Sequence, residues 1–265
     1  MAMTIETAPW QATAAYLYVL RLDAANLAWE YLRRNADYRT CWRRYGRTAP
    51  ARATRHWGLV LLEDPQLDAR RAHPVWDNRL PALLHIQADD HAAQSGLDLW
   101  HIPGPKDVIV LPTGVAALCV RASVPSTTLR ARLGPGVLDG RPALCAVPLD
   151  TRLHAQAALL TLHAARFAPR RACPVRPIPC AALTAKVDQA HLHHLHALQA
   201  LDGVQAGASQ RRIAEVLYGR ERMRRDWHAD SALRAQVRHS LARAVALMRG
   251  GYRDLAELSP NDLDQ

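Results

Sequence analysis

The stretch of residues 203–251 most constrains how this chain can fold. Its first segment begins at Ser209, whose hydroxyl can cap a helix, and ends at Gly219, a typical helix stop. Between them, apolar residues recur with the i, i+3, i+4 spacing of one buried helix face. These residues are Ile213, Val216 and Leu217. The pattern predicts a short amphipathic helix.

A second helix is predicted to begin at Asp230 or Ser231 and to end at Gly250-Gly251. Its apolar residues recur at steps of three and four, which predicts a narrow buried stripe along about five helical turns. The stripe contains Leu233, Val237, Leu241, Ala244 and Met248. Two helices joined in this way indicate a helix-turn-helix, in which the second helix enters the major groove of DNA.

The charge of this segment indicates its partner. Between Gly203 and Arg253 there are eleven arginines and four acids, a net +7 out of a formal +10 for the whole chain. Such a patch releases counterions from DNA phosphates on binding, so its affinity depends on salt. The alternative interpretation is a solvated pair of basic helices without a ligand. We predict double-stranded DNA as the partner.

The connection from Gly219 to Asp230 is longer than the usual three or four residues of a helix-turn-helix. The arginines of this connection are suited to binding backbone phosphates while the helices contact bases. Trp227 can anchor the connection in the core. Placing Leu233 and Val237 inward turns Ala235 and His239 outward. The predicted DNA contacts are Ser209, Gln210, Arg211, Arg212, Arg220, Arg222, Arg224, Arg225, Ser231, Arg234, Ala235, Arg238, His239 and Arg243.

This segment resembles the extended-turn helix-turn-helix family of proteobacterial mobile-element regulators. The resemblance rests on five blocks: Gly207–Gly219, Asp226-Trp227, Ala229–Arg234, Ala244–Met248 and Gly250–Leu255. It implies either an FseA-type activator of the excision and transfer of integrative and conjugative elements, or a QseM-type antiactivator. In this family the activators have a basic DNA-binding face and an additional N-terminal domain, and the antiactivators lack both.

Residues 1–77 are predicted to form an N-terminal helical domain. The block Ala28–Trp42, AWEYLRRNADYRTCW, resembles the start of the N-terminal domain of the activators, and residues 57–76 resemble its second half. We expect an aromatic face here that docks against another domain or a partner protein; it consists of Trp29, Tyr31, Tyr38 and Trp42. A second nucleic-acid patch, or else a solvated helix face, is formed by Arg33, Arg34, Arg39, Arg43 and Arg44.

Residues 78–150 change to short β-branched or alternating runs separated by turn residues, which predicts a small antiparallel sheet of about four to six strands. Hairpins are expected at Thr113-Gly114 and Asp139-Gly140. Residues 151–179 are predicted to be a helix followed by a stiff proline-rich connector, and residues 180–265 the DNA-binding domain. The fold class is therefore α+β, with all-α ends and a β-rich middle.

The sequence contains no pattern that indicates an enzyme, a cofactor or a metal. We find no nucleophile elbow, paired glycosidase-like carboxylates or HExxH. The HLHHLH run, His191–His196, lacks the further ligands of a tetrahedral site, so partial protonation that favours DNA is expected instead. No run of about 18 apolar residues and no signal peptide are present, and the five scattered cysteines fit a reducing cytoplasm.

These patterns predict a cytoplasmic, non-enzymatic DNA-binding transcriptional regulator. Its role as an activator of mobile-element genes, and RNA polymerase and an antiactivator as further partners, follow from the resemblance alone. Two alternatives stay open: an antiactivator that binds a related activator, and a ParB-like DNA-partitioning protein. We further expect residues 180–265 to bind DNA by themselves, and residues 1–77 to supply the activating surface.

Overall fold

The computed structural model describes residues 10–77, 79–89, 91, 96–111, 113–121, 128–167, 189–228 and 230–258. The helices are α1 (Ala24–Leu32), α2 (Ala36–Tyr45), α3 (Ala51–His56), α4 (Leu153–Phe167), α5 (Gln189–Gln205), α6 (Gln210–Tyr218), α7 (Arg220–Asp226), α8 (Ala232–Ala246) and α9 (Tyr252–Leu255). Two 3-10 helices, Thr13–Arg21 and Leu99–His101, and a π-helical turn, Leu247–Gly251, lie among them. A further 3-10 turn spans Gly46–Thr48.

The strands are β1 (Leu59–Leu61), β2 (Val75–Trp76), β3 (Leu84–Ala88), β4 (Lys106–Val110), β5 (Ala116–Val120), β6 (Leu129–Leu133) and β7 (Ala143–Ala146). Helices at both ends and strands in the middle confirm the predicted α+β class. The proline-rich connector, residues 169–179, lies outside the described residues. Within the described part of the chain, every helix is too short or too polar to cross a lipid bilayer.

The described residues divide into two compact units. One contains residues 10–74 and 189–256, and the other contains residues 75–167 and 257–258. The first and the last of the four predicted segments thus pack together in one unit, which we call the helical unit. The division into separately folding domains stays a prediction. The packing of α5 bears on it, because this helix contacts both the N-terminal and the C-terminal segments.

Helix α5 lies at the centre of the helical unit. It packs against the 3-10 helix Thr13–Arg21, α1, α6 and α8. Because it has neighbours on several sides, nine of the ten positions from His194 to Gly203 are buried, all except His196. Gly203 is needed there, since a Cβ would lie 3.0 Å from both Trp10 and Ile213. The apolar burial of α5 therefore depends on chain segments from both ends of the sequence.

The second unit contains a five-stranded sheet in the order β4-β5-β6-β3-β7. One face is apolar, with Leu84, Leu118 and Ala131 in neighbouring positions at its centre. The strand number confirms the prediction, and the hairpin at Thr113-Gly114 is present between β4 and β5. Three strand pairings are antiparallel, whereas β3 and β6 are parallel.

The second predicted hairpin is wrong. The turn at Asp139-Gly140 leads from β6 to β7, but β7 pairs with β3 and not with β6. The parallel pairing of β3 with β6 is the reason, because it places β3 on the edge of β6 that a hairpin would have occupied. The connection from β3 to β6 includes the whole β4–β5 hairpin and is therefore longer than the dozen residues that a parallel pair requires.

Candidate nucleic-acid interface

Helices α6, α7 and α8 form a three-helix cluster around one apolar core. Its buried side chains include Ile213 of α6, Met223 of α7 and Val237 of α8, and Trp10 and Ala200 complete it from outside the cluster. The three helices contact one another pairwise. The C-terminal basic segment is therefore folded around a core that fixes the relative positions of its helices.

The connection that we expected to be an extended turn contains a helix, α7. Gly219, at φ 87°, turns the chain between α6 and α7. The arginines and the glutamate that follow favour a helix, and Met223 in their midst is buried at 6% exposure. Trp227, the predicted anchor, is half-buried against the core.

Helix α8 has one buried and one exposed face. Leu233, Val237, Leu241 and Ala244 are buried, as the spacing predicted, and Met248 lies beyond the helix in the π-helical turn, half-buried. The exposed face contains Ala235, Arg238, His239 and Arg243, and Arg234 is half-buried at its edge. Because no Asp or Glu occurs between Ala232 and Ala246, the positive charge of this face is not offset within the helix.

Most of the arginines on α6 and α7 are paired with acids. Arg212 and Arg220 both bind Glu215, with N–O distances of 2.8 and 2.6 Å. Asp226 pairs with Arg225 at 2.8 Å and lies 3.8 Å from Arg222. The hydrogen bond from Arg212 lowers the pKa of Glu215. These acids remain charged and offset part of the positive charge.

Two arginines of this region form no such pair. Arg211 and Arg224 are exposed, and neither forms an ion pair with an acid among the residues that the structure describes. Gln210 is exposed beside Arg211 at the start of α6. The guanidinium carbon of Arg222, which also approaches Asp226, lies 5.3 Å from the centre of the Tyr218 ring. The unpaired arginines are the most available to a phosphate.

The two predicted serine contacts are helix caps. The hydroxyl of Ser209 accepts a hydrogen bond from the backbone N–H of Arg212, and that of Ser231 accepts from Arg234, each at 3.2 Å. Ser209 is exposed, but Ser231 is only 5% exposed. The prediction that Ser231 contacts DNA is therefore corrected: it fixes the first turn of α8 from inside.

A buried polar network holds α5 against the N-terminal segment. Arg34, two residues beyond the end of α1, donates to both carboxylate oxygens of Asp202, at 2.6 and 2.8 Å, and the hydroxyl of Tyr16 donates to the same carboxylate at 2.7 Å. Arg34 also donates to Glu30 at 2.6 Å. Burial alone would raise the pKa of Asp202, but the adjacent Arg34 guanidinium lowers it. This network was not predicted from the sequence. Its one signal there is the position of two acids, Glu30 and Asp202, within otherwise apolar helix faces.

The predicted aromatic face is inside the helical unit. Trp29, Tyr31 and Tyr38 are 0% exposed, and Trp42 is half-buried. The indole of Trp29 donates to the carbonyl of Leu67, the hydroxyl of Tyr38 to that of Glu63, and the hydroxyl of Tyr31 lies 2.9 Å from His194 Nδ1. An open docking face at these three side chains is therefore ruled out, because their burial and hydrogen bonds make them part of the core.

The histidine run is likewise part of the packing of α5. His194 is buried beside Tyr31, and His191 hydrogen-bonds the carbonyl of Leu22. Burial, and then the neighbouring His193, lower the pKa of His196, so this side chain does not gain the charge expected for DNA attraction. No group of three or more potential metal ligands is found within the described residues.

Comparison with known families matches both ends of the chain. Residues 9–60 match a family described as a proteobacterial transcriptional regulator-like domain. Residues 146–257, which include α5 to α9, match one described as a T6SS transcription factor, DNA-binding domain. No curated protein matches the chain. The two matches support a DNA-binding transcriptional regulator, and they point to a non-enzymatic protein.

Proposed function

We propose that this chain is a transcriptional activator that binds double-stranded DNA through α8 and controls excision and transfer genes of an integrative and conjugative element. The observation that supports DNA binding most strongly is the exposed, acid-free face of α8, formed by Ala235, Arg238, His239 and Arg243. The mobile-element target and the activating role rest on the family resemblance of residues 207–255.

Helix α8 is better suited than α7 to read bases. It contains fifteen residues, whereas α7 contains seven, two of which, Glu221 and Asp226, are acidic. A helix in the major groove reads base edges with residues of its first turns, and arginine pairs there with guanine. We assign Arg234 and Arg238 to this role, with Ala235 and His239 beside them.

Helices α6 and α7 are assigned to the phosphate backbone. Gln210, Arg211 and Arg224 are exposed around the core of the three-helix cluster, and paired arginines surround them. Contacts of this kind fix the register of a protein on DNA without reading its sequence. Ser209 contributes as an exposed cap, and the further phosphate contacts are Arg212, Arg220, Arg222 and Arg225.

The family description of residues 146–257 favours a second set of targets, the genes of a type VI secretion system. Immunoprecipitation of the chain with bound DNA, followed by sequencing, separates the two possibilities. Recovery of promoters beside integrase, excision-factor or conjugation genes supports the mobile-element target, and recovery of secretion promoters supports the second. If no specific DNA is recovered while a related activator protein is, the antiactivator alternative is correct. Recovery of centromere-like repeats would support partitioning.

A further inference from the structure

We propose that the exposed surface of α2 and α3 binds the phosphate backbone of the same duplex, beyond the base pairs that α8 contacts. This inference rests on the proposed function, since it requires α8 to be bound to DNA. It concerns a surface of the N-terminal segment, which neither family description assigns to DNA.

The surface is strongly basic. Residues 36–56 contain six arginines and a single acid, Asp37. Two of the arginines are occupied: Arg39 donates to the carbonyl of Arg33, and Arg47 is paired with Glu63 at 2.9 Å. The other four are exposed, and none forms an ion pair with an acid of the described residues. They are Arg43, Arg44, Arg52 and Arg55, and we call them the α2–α3 basic surface.

The surface is joined to the C-terminal end of α8 by hydrogen bonds. Asn35, the residue that caps α2, donates from its side chain to the carbonyl of Met248 at 3.1 Å. At the end of α3, the carbonyl of Trp57 accepts from the hydroxyl of Tyr252 at 3.1 Å, and Arg253 donates to that of His56. Arg253 thus adds a positive charge at the end of α3, and it lies four residues after the exposed Arg249 in the chain.

The length of α8 sets an upper limit on the distance along the duplex, which is reached when the helix lies parallel to the DNA axis. Its fifteen residues span about 22 Å at 1.5 Å per residue. This corresponds to roughly six base pairs, at 3.4 Å for each phosphate along one strand. On this geometry, contacts of the α2–α3 basic surface would lie at most about half a turn of DNA from the base pairs that the first turns of α8 contact.

DNA fits this surface better than a protein does. Interfaces between proteins usually centre on apolar or aromatic anchors. None of the large apolar side chains that are strongly exposed in the described residues lies between Ala36 and His56. A group of exposed arginines without a strongly exposed apolar side chain among them is instead typical of phosphate contacts.

The test compares three double variants of the full-length chain on a long and a short duplex, both of which contain the same binding site. Arg43→Gln with Arg52→Gln removes two charges of the surface. Arg70→Gln with Arg152→Gln removes the same net charge from an exposed and a half-buried arginine, which pair with Asp68 and Asp150. A third variant, Arg43→Lys with Arg52→Lys, keeps the charge, and thermal denaturation checks folding.

On a duplex of about 30 base pairs, the slope of log Kobs against log salt concentration should become shallower by about 2 for the first variant and should not change for the control. The lysine variant should keep the original slope. On a short duplex that ends at the α8 site, the first variant should bind like the original chain. These results together would support the inference.

Three results would overturn it. If the original chain binds neither duplex, the proposed function fails together with this inference. If the chain binds DNA but the first variant behaves like the control on the long duplex, this inference alone fails. If the first variant binds both duplexes normally yet no longer activates a reporter gene, the surface binds a protein instead.

Discussion

Arg34 and Asp202 are 168 positions apart in the chain and form a buried bidentate ion pair, with N–O distances of 2.6 and 2.8 Å. The pair joins the turn that follows α1 in the N-terminal segment to α5, the helix on which α6 and α8 pack. Both side chains have less than one tenth of their surface exposed. The orientation of α6 and α8 thus depends on the N-terminal segment.

Asp202→Ala should lower the free energy of unfolding by about 3–5 kcal/mol, because it leaves the buried guanidinium of Arg34 without its main partner. Urea denaturation measures this loss. Asp68→Ala is the control, since it breaks a local pair with Arg70, whose side chain is 61% exposed, and should cost only about 1 kcal/mol. Equal, small losses for the two variants would contradict the structural role of the buried pair.

Stability should also decrease in acid, because of Glu30. Burial by itself would raise the pKa of Glu30, but the charges of Arg33 and Arg34 lower it from 4.5 to about 2. A lowered pKa in the folded state stabilises the protein above the unfolded value, and this contribution is lost as the pH falls from 4.5 towards 2. Glu30→Gln should be less stable at neutral pH and should show a weaker decrease in this range. Denaturation curves from pH 5 downwards test this, and parallel pH profiles would contradict it.

The arginines of α7 should contribute unequally to DNA binding. Arg224→Ala should weaken binding to all sequences and reduce the salt slope by roughly one, because Arg224 is unpaired. Arg225→Ala should have a smaller effect, since it also frees Asp226, and Asp226→Asn should tighten binding. Fluorescence anisotropy titrations at several salt concentrations measure all three. Equal effects of the two arginine variants would show that the pairing with Asp226 does not persist on DNA.

The isolated fragment 180–265 was expected from the sequence to bind DNA by itself. The structure changes this prediction, because without the N-terminal segment Asp202 loses Arg34 and Tyr16, and Gln199 loses the carbonyl of Trp10 that it contacts at 2.8 Å. We now expect the fragment to be largely unfolded, and to bind DNA more weakly than the full chain. Circular dichroism of the fragment, before and after addition of residues 1–77, tests this. A stable fragment with full affinity would contradict it.

The local features of the helices could be read from the sequence. The stripe from Leu233 to Ala244, and the caps Ser209 and Ser231, depend on neighbouring residues, and the structure has them where the spacing placed them. The outward position of Ala235 and His239 follows from the same periodicity. The composition of residues 78–150 was sufficient to predict a sheet of about four to six strands, and the sheet has five.

Contacts between distant residues could not be read in this way. The sequence did not distinguish whether Trp29, Tyr31 and Tyr38 pack within the chain or dock a partner protein, since a helix face has the same pattern in both cases. The partner of β7 depends on the parallel pairing of β3 with β6, which no turn motif specifies. Helix α7 was missed because its seven residues contain one buried apolar side chain, Met223, and so show no periodicity.

The central claim, that α8 reads DNA sequence, is tested most directly by Arg238→Ala. The affinity of the variant and of the original chain is measured for the recovered binding site and for random DNA of the same length, with Arg70→Ala as a control. We predict a loss of about 1–3 kcal/mol on the specific site, a smaller loss on random DNA, and no loss for the control. Equal losses on the two DNAs, or none on either, would contradict the assignment of α8 as the helix that reads bases.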